Sequence, residues 1–157
     1  MIFPEKVIVT EQEIDLANMH ERERAVCVAE AERLYDEWKK VGGRRVAGIA
    51  GPSGAGKSVF VAIVKDLIAQ SDPSARIVGL TIDAYHFHNA DLKAKGLDHV
   101  KGRYDTYDVP ALVTDITQFK QGAMCAFPSY SRKLHEPIAG AKSVDANEPA
   151  LLLVEGL

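Results

Sequence analysis

Apolar positions along this chain follow more than one period. Residues 11–40 are rich in Glu, Ala, Arg and Leu, and Ala25, Val28, Ala29, Ala31, Leu34, Tyr35, Trp38 and Val41 recur at three- and four-residue steps. That stripe predicts a helix, ended by Gly42-Gly43. Its apolar face suits packing on a sheet; a partner-binding or dimer face is the alternative. Residues 45–50 (Arg-Val-Ala-Gly-Ile-Ala) read as a short buried strand and residues 59–68 as a helix. Ser71-Asp72-Pro73-Ser74 marks a turn, and residues 75–82 a second strand ending at Asp83. The polar region 85–107 holds a short helix near 89–94. Asp108 before Val109-Pro110 predicts an N-cap with proline in the first turn of a helix over 109–121. Residues 124–137 read as an irregular or hairpin segment. Ala150-Leu151-Leu152-Leu153-Val154 is wholly apolar, as a central parallel strand requires. Strands separated by helices imply an α/β fold with a parallel sheet. Ligands of such sheets sit beyond the carboxyl ends of the strands. That draws attention to the loop starting at Gly51, to Asp83 and to Glu155.

Composition narrows the function classes. With 157 residues and 46% apolar content the chain has the size of one domain with a proper core. A net charge of −3 and the lack of a Lys/Arg-rich tract argue against nucleic acid as a partner. Cys27 and Cys125 are far apart without CxxC spacing, so they read as reduced thiols of a cytoplasmic protein. No window of about 18 apolar residues suggests a membrane span. No cationic start followed by an apolar block suggests a signal peptide. The His86-x-His88 pair lacks a nearby third ligand of the kind a metal site needs.

The strongest chemical signal is Gly51-Pro52-Ser53-Gly54-Ala55-Gly56-Lys57-Ser58, which fits G-x-x-x-x-G-K-[ST] between a strand and a helix. Glycines let the backbone N–H groups of Gly51, Ser53, Gly54, Ala55, Gly56, Lys57, Ser58 and Val59 curl round an anion, and the helix N-terminus adds its positive end. Lys57 supplies charge for the β- and γ-phosphates, and the Ser58 hydroxyl can ligate Mg²⁺. A glycine turn without ligand is the alternative, but a turn has no need of the Lys-Ser pair. Glu155 follows the last apolar strand, where a Walker B acid would hold Mg²⁺. Otherwise it is a solvent-facing acid. Asp83, at the end of the neighbouring strand, can take the proton of an acceptor hydroxyl. Alternatively it caps a turn.

From residue 45 to the end, the chain resembles the small-molecule P-loop kinases that group uridine kinase, phosphoribulokinase and bacterial pantothenate kinase. Four ordered pieces carry the resemblance: the Gly51–Ser58 loop, Thr81-Ile82-Asp83-Ala84-Tyr85-His86-Phe87, Lys101-Gly102-Arg103-Tyr104-Asp105-Thr106-Tyr107-Asp108-Val109, and Pro128-Ser129-Tyr130-Ser131-Arg132-Lys133-Leu134-His135-Glu136-Pro137 with Leu152-Leu153-Val154-Glu155-Gly156-Leu157. Tyr130, Arg132, His135 and Pro137 match a Tyr-x-Arg-x-x-His-x-Pro run of a bacterial subgroup of nucleoside/nucleotide kinase-like, or fructose transport system, kinases. The resemblance implies a three-layer P-loop NTPase fold, Asp83 as general base, and Lys57 as the phosphate lysine. It implies Ser58 and Glu155 at magnesium, and His86, Tyr130, Arg132 and His135 facing the acceptor beside Asp83. Arg132 suits a fork-like donor, or is a surface arginine of a hairpin.

The chain also departs from that pattern. Tyr104 stands where a proline is usual, Ser131 where the subgroup has an acid, and Gly102 near the uridine kinases' ribose-binding acid. The ending at Glu155-Gly156-Leu157 implies a chain truncated at its C-terminus, without the family's lid and final strand. The expected layout is an N-terminal helical extension (1–44) on a P-loop kinase core (45–157). The expected function is transfer of a phosphoryl group from ATP, with Mg²⁺, to a hydroxyl of a sugar or nucleoside-like metabolite. A pantothenate kinase and a truncated nucleotide-binding module without turnover are the alternatives. A homodimer is compatible with either. A GTP switch is disfavoured, since no Asn-Lys-x-Asp occurs.

Overall fold

Strand β1 (Lys6–Val9) alternates outward Lys6 and Ile8 with buried Val7 and Val9, and pairs antiparallel with β2 (Gln12–Asp15). The helix expected from residue 11 therefore does not start there. Glu, Gln and Asp are helix-compatible, but the two inward valines need a ladder partner, and Gln12–Asp15 supplies it across a turn where Thr10 adopts φ 57°. Helix α1 (Glu21–Val41) begins at a capping box. The Arg22 N–H donates to His20 Nδ1 at 3.1 Å, and the His20 N–H to Glu23 Oε2 at 3.1 Å. The structure is a computed structural model and describes residues 1–156; Leu157, the last residue of the motif named above, lies outside them.

Two compact units divide the chain, Met1–Gly79 with the segment from Pro149 onward, and Leu80–Glu148. In the first, strand β3 (Arg44–Ala50) leads to helix α2 (Lys57–Ser71), and β7 (Ala150–Gly156) runs parallel to β3 in register from Arg44↔Ala150 to Ala50↔Gly156. The strand order is β3-β7-β4, with β4 at Ile77–Thr81. The apolar run of β7 thus occupies the centre, with Leu151, Leu152 and Leu153 buried, and the α/β reading with a parallel sheet holds. Strand β3, expected to be buried, is instead an edge strand that leaves Val46 37% exposed, because among the described residues it has a ladder neighbour on one side only. Cys27, Ala31 and Trp38 of α1 join Val61, Val64 and Ile68 of α2, Val7 and Val9, and Leu151 and Leu153 in one core. A Cβ on Gly79 would lie 2.7 Å from Val61 Cγ1, so glycine there permits the close seat of α2 on the sheet.

Asp72 staples the helices of this unit. Its Oδ2 accepts from the Tyr35 hydroxyl at 2.9 Å and Lys39 Nζ at 3.2 Å, and its Oδ1 from Ser74 N–H at 3.0 Å. The Ser74 hydroxyl and then the Tyr35 phenol, both donating, hold the carboxyl far below its ordinary range. The unfolded chain then binds more protons than the folded one in acid. The stabilisation is complete above the ordinary value of 3.8 and fades as pH falls below it. In urea titrations between about pH 5 and pH 2, the parent midpoint should fall more steeply than that of Asp72→Asn. Parallel curves would remove Asp72 as an acid-sensitive contact.

In the second unit a 3-10 turn (Ile82–Tyr85) follows β4, then come α3 (Asn89–Ala94), α4 (Val109–Lys120) and an antiparallel hairpin of β5 (Cys125–Ser131) with β6 (Glu136–Val144). Helix α4 starts as expected, with Asp108 Oδ1 accepting the Ala111 N–H at 3.0 Å. The hairpin runs well past residue 137, to a Cys125↔Val144 pair, and its register shifts between Phe127 and Ser129, around Pro128, which has no N–H to give. Phe119 packs on Phe127 with ring centroids 5.9 Å apart, and the buried Tyr85 donates its hydroxyl to Asp115 at 2.7 Å.

Candidate active site

The phosphate-binding loop closes the turn from β3 into α2. Gly54 and Gly56 have φ of 77° and 80°, in the left-handed region that a side chain would strain. The Ala55 N–H closes a turn on Pro52 O at 3.2 Å, and Lys57 opens the fifteen-residue helix α2. The Lys57 ammonium folds back to donate to Gly51 O at 2.7 Å and Pro52 O at 2.9 Å. Both acceptors are loop carbonyls that an anion's oxygens can replace. Ser53 and Ala55 are exposed on the loop, while Ser58 and Val59 lie in the first turn of α2, with Val59 against the core.

Glu155 is placed by β7, next to β3 in the sheet. It is 7% exposed, so it is not a solvent-facing acid. Its Oε1 accepts from the Ser58 hydroxyl at 2.7 Å. A hydroxyl and a buried carboxylate so close, at the carboxyl end of the parallel strand β7, form an all-oxygen donor set. It fits a hard divalent cation such as Mg²⁺, which takes few protein ligands and keeps water or phosphate on the others.

Asp83 sits in the second unit, on the 3-10 turn after β4. Its backbone N–H is capped by Thr81 Oγ1 at 3.3 Å, and its side chain is 52% exposed. Segments 85–87 and 106–108 run side by side, with Asp108 N–H donating to Tyr85 O at 2.7 Å and Phe87 N–H to Thr106 O at 3.0 Å. This pairing lays the buried His86 ring on Tyr107, with centroids 3.9 Å apart and planes 23° apart. The Tyr107 hydroxyl donates to Asp83 Oδ1 at 3.3 Å, and His86 Nε2 stands 3.7 Å from the same oxygen. Burial, then the Asp83 charge, pushes the Tyr107 phenol up to about 12. Tyr130 is also raised, by burial first and then Asp83, and its ring lies 6.1 Å from that of His86. The Lys101 ammonium, lowered by burial, stands 5.5 Å over the Tyr130 ring and donates to Asn89 Oδ1 and His135 O.

Asp83, His86 and Tyr130 are thus gathered in one cluster. The side chains of Arg132 and His135 are exposed around the turn of the hairpin and make no hydrogen bond or ion pair among the described residues; His135 takes φ 54° and joins the cluster only through its carbonyl. Lys101, Thr106 and Tyr107 belong to the third of the four matched pieces, where the motif marks none of them for a role of its own. For Thr106 and Tyr107 the signal is the alternation of large and polar residues in 85–87 and 106–108, two short segments able to pair; for Lys101 there is none.

No family model matches the chain. Among curated proteins it is similar to the pantothenate kinase of Leifsonia xyli subsp. xyli, with 34% identity over 113 residues, 71% of this chain and 35% of that protein. The chain spans about a third of the length of the curated relatives it matches. Among solved structures it is similar in fold to a protein of Silicibacter sp. TM1040 described as a fructose transport system kinase, at TM-score 0.69 and 23% identity, covering 83% of this chain and 62% of that one. A Bacillus stearothermophilus protein described as a uridine kinase gives TM-score 0.54 at 18% identity, covering 82% of this chain and 71% of its own. The chain thus has the fold of the P-loop kinases and, over 113 residues, a sequence likeness to pantothenate kinases.

Proposed function

We propose that the protein is a kinase that moves the γ-phosphoryl group of MgATP to a hydroxyl of a small metabolite, sugar or nucleoside-like. The observation that carries this reading is the Ser58–Glu155 hydroxyl–carboxylate contact of 2.7 Å beside a left-handed glycine loop and its lysine. Bound MgATP supplies an activated phosphoryl group with ADP as leaving group. The residues of the chain supply the rest. The N–H groups of the loop and the first turn of α2 hold phosphate oxygens. Lys57 exchanges its two carbonyl partners for them. Ser58 and Glu155 would hold the cation. Asp83 accepts the acceptor's hydroxyl proton as that oxygen bonds to phosphorus and the bond to ADP breaks, and the proton ends on Asp83. His86, Tyr130, Arg132 and His135 face the acceptor in this reading. A cytoplasmic setting is part of it, with Cys27 and Cys125, both buried and in no disulfide among the described residues, kept reduced.

Pantothenate is the second candidate acceptor. The 34% identity to a pantothenate kinase over 113 residues favours it. ADP release should be measured by a coupled assay with pantothenate, uridine, fructose and ribulose 5-phosphate. ADP formed in step with one phosphorylated product supports the kinase reading and names the acceptor. Nucleotide-dependent thermal stabilisation without ADP on any acceptor replaces it with a binding module.

A further inference from the structure

Asp83 is exposed, and the terminal torsion of an aspartate is broad. A carboxylate free to turn spends much of its time with neither oxygen aimed at an incoming hydroxyl, and misplacement of that kind slows proton transfer. The surroundings of Asp83 restrict it through one oxygen. Two groups face Oδ1: the Tyr107 hydroxyl at 3.3 Å and His86 Nε2 at 3.7 Å. Oδ2 has no hydrogen-bond partner among the described residues.

Which of the two groups holds Oδ1 follows from the far side of the imidazole. His86 Nδ1 lies 3.2 Å from Thr106 O and 3.3 Å from Thr106 Oγ1. The Thr106 hydroxyl gives its own proton to Arg103 O at 2.6 Å and accepts from Gly102 N–H at 3.1 Å. Both atoms facing Nδ1 are therefore acceptors, and the ring proton belongs on Nδ1. Burial pushes the imidazole pKa down, so the ring is neutral near pH 7. Nε2 then offers a lone pair, which cannot hold a carboxylate. The phenol is the donor. Its ring is fixed flat on His86 at 3.9 Å, so its oxygen has little room to wander.

We propose that Tyr107 is a positioning residue for Asp83: its hydroxyl pins Oδ1 and leaves Oδ2 turned out to the acceptor hydroxyl. This rests on Asp83 being the base of the proposed kinase. The cross-segment pairing of 85–87 with 106–108 serves that end. It sets His86 and Tyr107 as neighbours, the stack aims the phenol, and the phenol orients the carboxylate.

Tyr107→Phe keeps the ring and its stack and deletes only the donor. A single hydrogen bond to a charged group, here 3.3 Å long and so beyond the usual O–H···O range, sets the expected loss of kcat at no more than about tenfold, with the acceptor KM within about twofold, since orientation and not binding is affected. Tyr107→Leu removes the stack as well. If Tyr107→Phe keeps the parent kcat and Tyr107→Leu loses it, the ring matters for packing alone and the proposal is overturned. The contact is read without turnover from the ¹³Cζ resonance of Tyr107 in tyrosine-labelled protein, assigned by its absence from Tyr107→Phe. Asp83→Ala should move that resonance; a resonance that stays in place overturns the hydrogen bond. A moved resonance in protein that releases no ADP with any acceptor overturns the base assignment, and the positioning role with it, while the contact stands.

Discussion

Asp83→Asn should lower kcat by about a thousandfold, within the range removal of a general base produces, while nucleotide affinity stays within about twofold. The substitution is nearly isosteric and touches little else. The amide oxygen can still accept from the Tyr107 hydroxyl at the Oδ1 position, and the Thr81 cap acts on the backbone N–H of residue 83, which is unchanged. The side chain is 52% exposed, so no buried hole or unsatisfied core group is created. What the variant loses is the capacity to take a proton. Steady-state ADP release with the acceptor found for the parent, together with a fluorescent-nucleotide titration, separates the two effects. Turnover within a few-fold of the parent would remove Asp83 from the base role and return it to capping the turn after β4.

The parts of the molecule that were legible in sequence are those where a short stretch determines its own state. The Gly51–Ser58 loop needs left-handed glycines at fixed offsets, and Gly54 and Gly56 take them. Five consecutive apolar residues leave Leu151–Leu153 no place but the middle of the sheet. Asp108 followed by Pro110 opens α4 because capping is local. What was misread depends on distant partners. Gln12–Asp15 carries helix-compatible residues and becomes a strand because Val7 and Val9 must pair. Arg45 to Ala50 has the composition of a buried strand, yet exposure is decided by how many neighbours the sheet gives it, and among the described residues β3 has one. Likewise β6, with Gly140, Ala139 and Ala141 in its middle, has weak strand propensity of its own and exists through its ladder to Cys125–Ser131. The cluster round Asp83 shows the same split. Asp83 was marked by its place after an apolar strand, whereas Tyr107 lies 24 residues away and reaches it only through the pairing of two three-residue segments, too short for their alternation to fix a partner.

Lys57→Met should abolish most of the nucleotide-dependent stabilisation and lower kcat by about a hundredfold to a thousandfold, the loss typical of deleting one preorganised group aimed at transition-state charge. Methionine has nearly the length of lysine and suits a helix, so the first turn of α2 can form with Gly56 ahead of it. The two carbonyls that lose the ammonium, Gly51 O and Pro52 O, belong to the phosphate loop, where Pro52 and its successors are open to water. Without nucleotide the variant should unfold within about 0.5 kcal/mol of the parent. The same would not hold for Ser58→Ala, which strips the buried Glu155 of a donor at 2.7 Å and mixes fold with function. Thermal melts with and without MgATP make the comparison clean. At a nucleotide concentration about a hundred times Kd the parent should gain roughly 2.7 kcal/mol, and the variant, with its affinity lowered, only a small part of that. An equal gain in both proteins would mean that Lys57 does not reach the phosphates, and the loop would then be a glycine turn whose lysine serves only its own carbonyls.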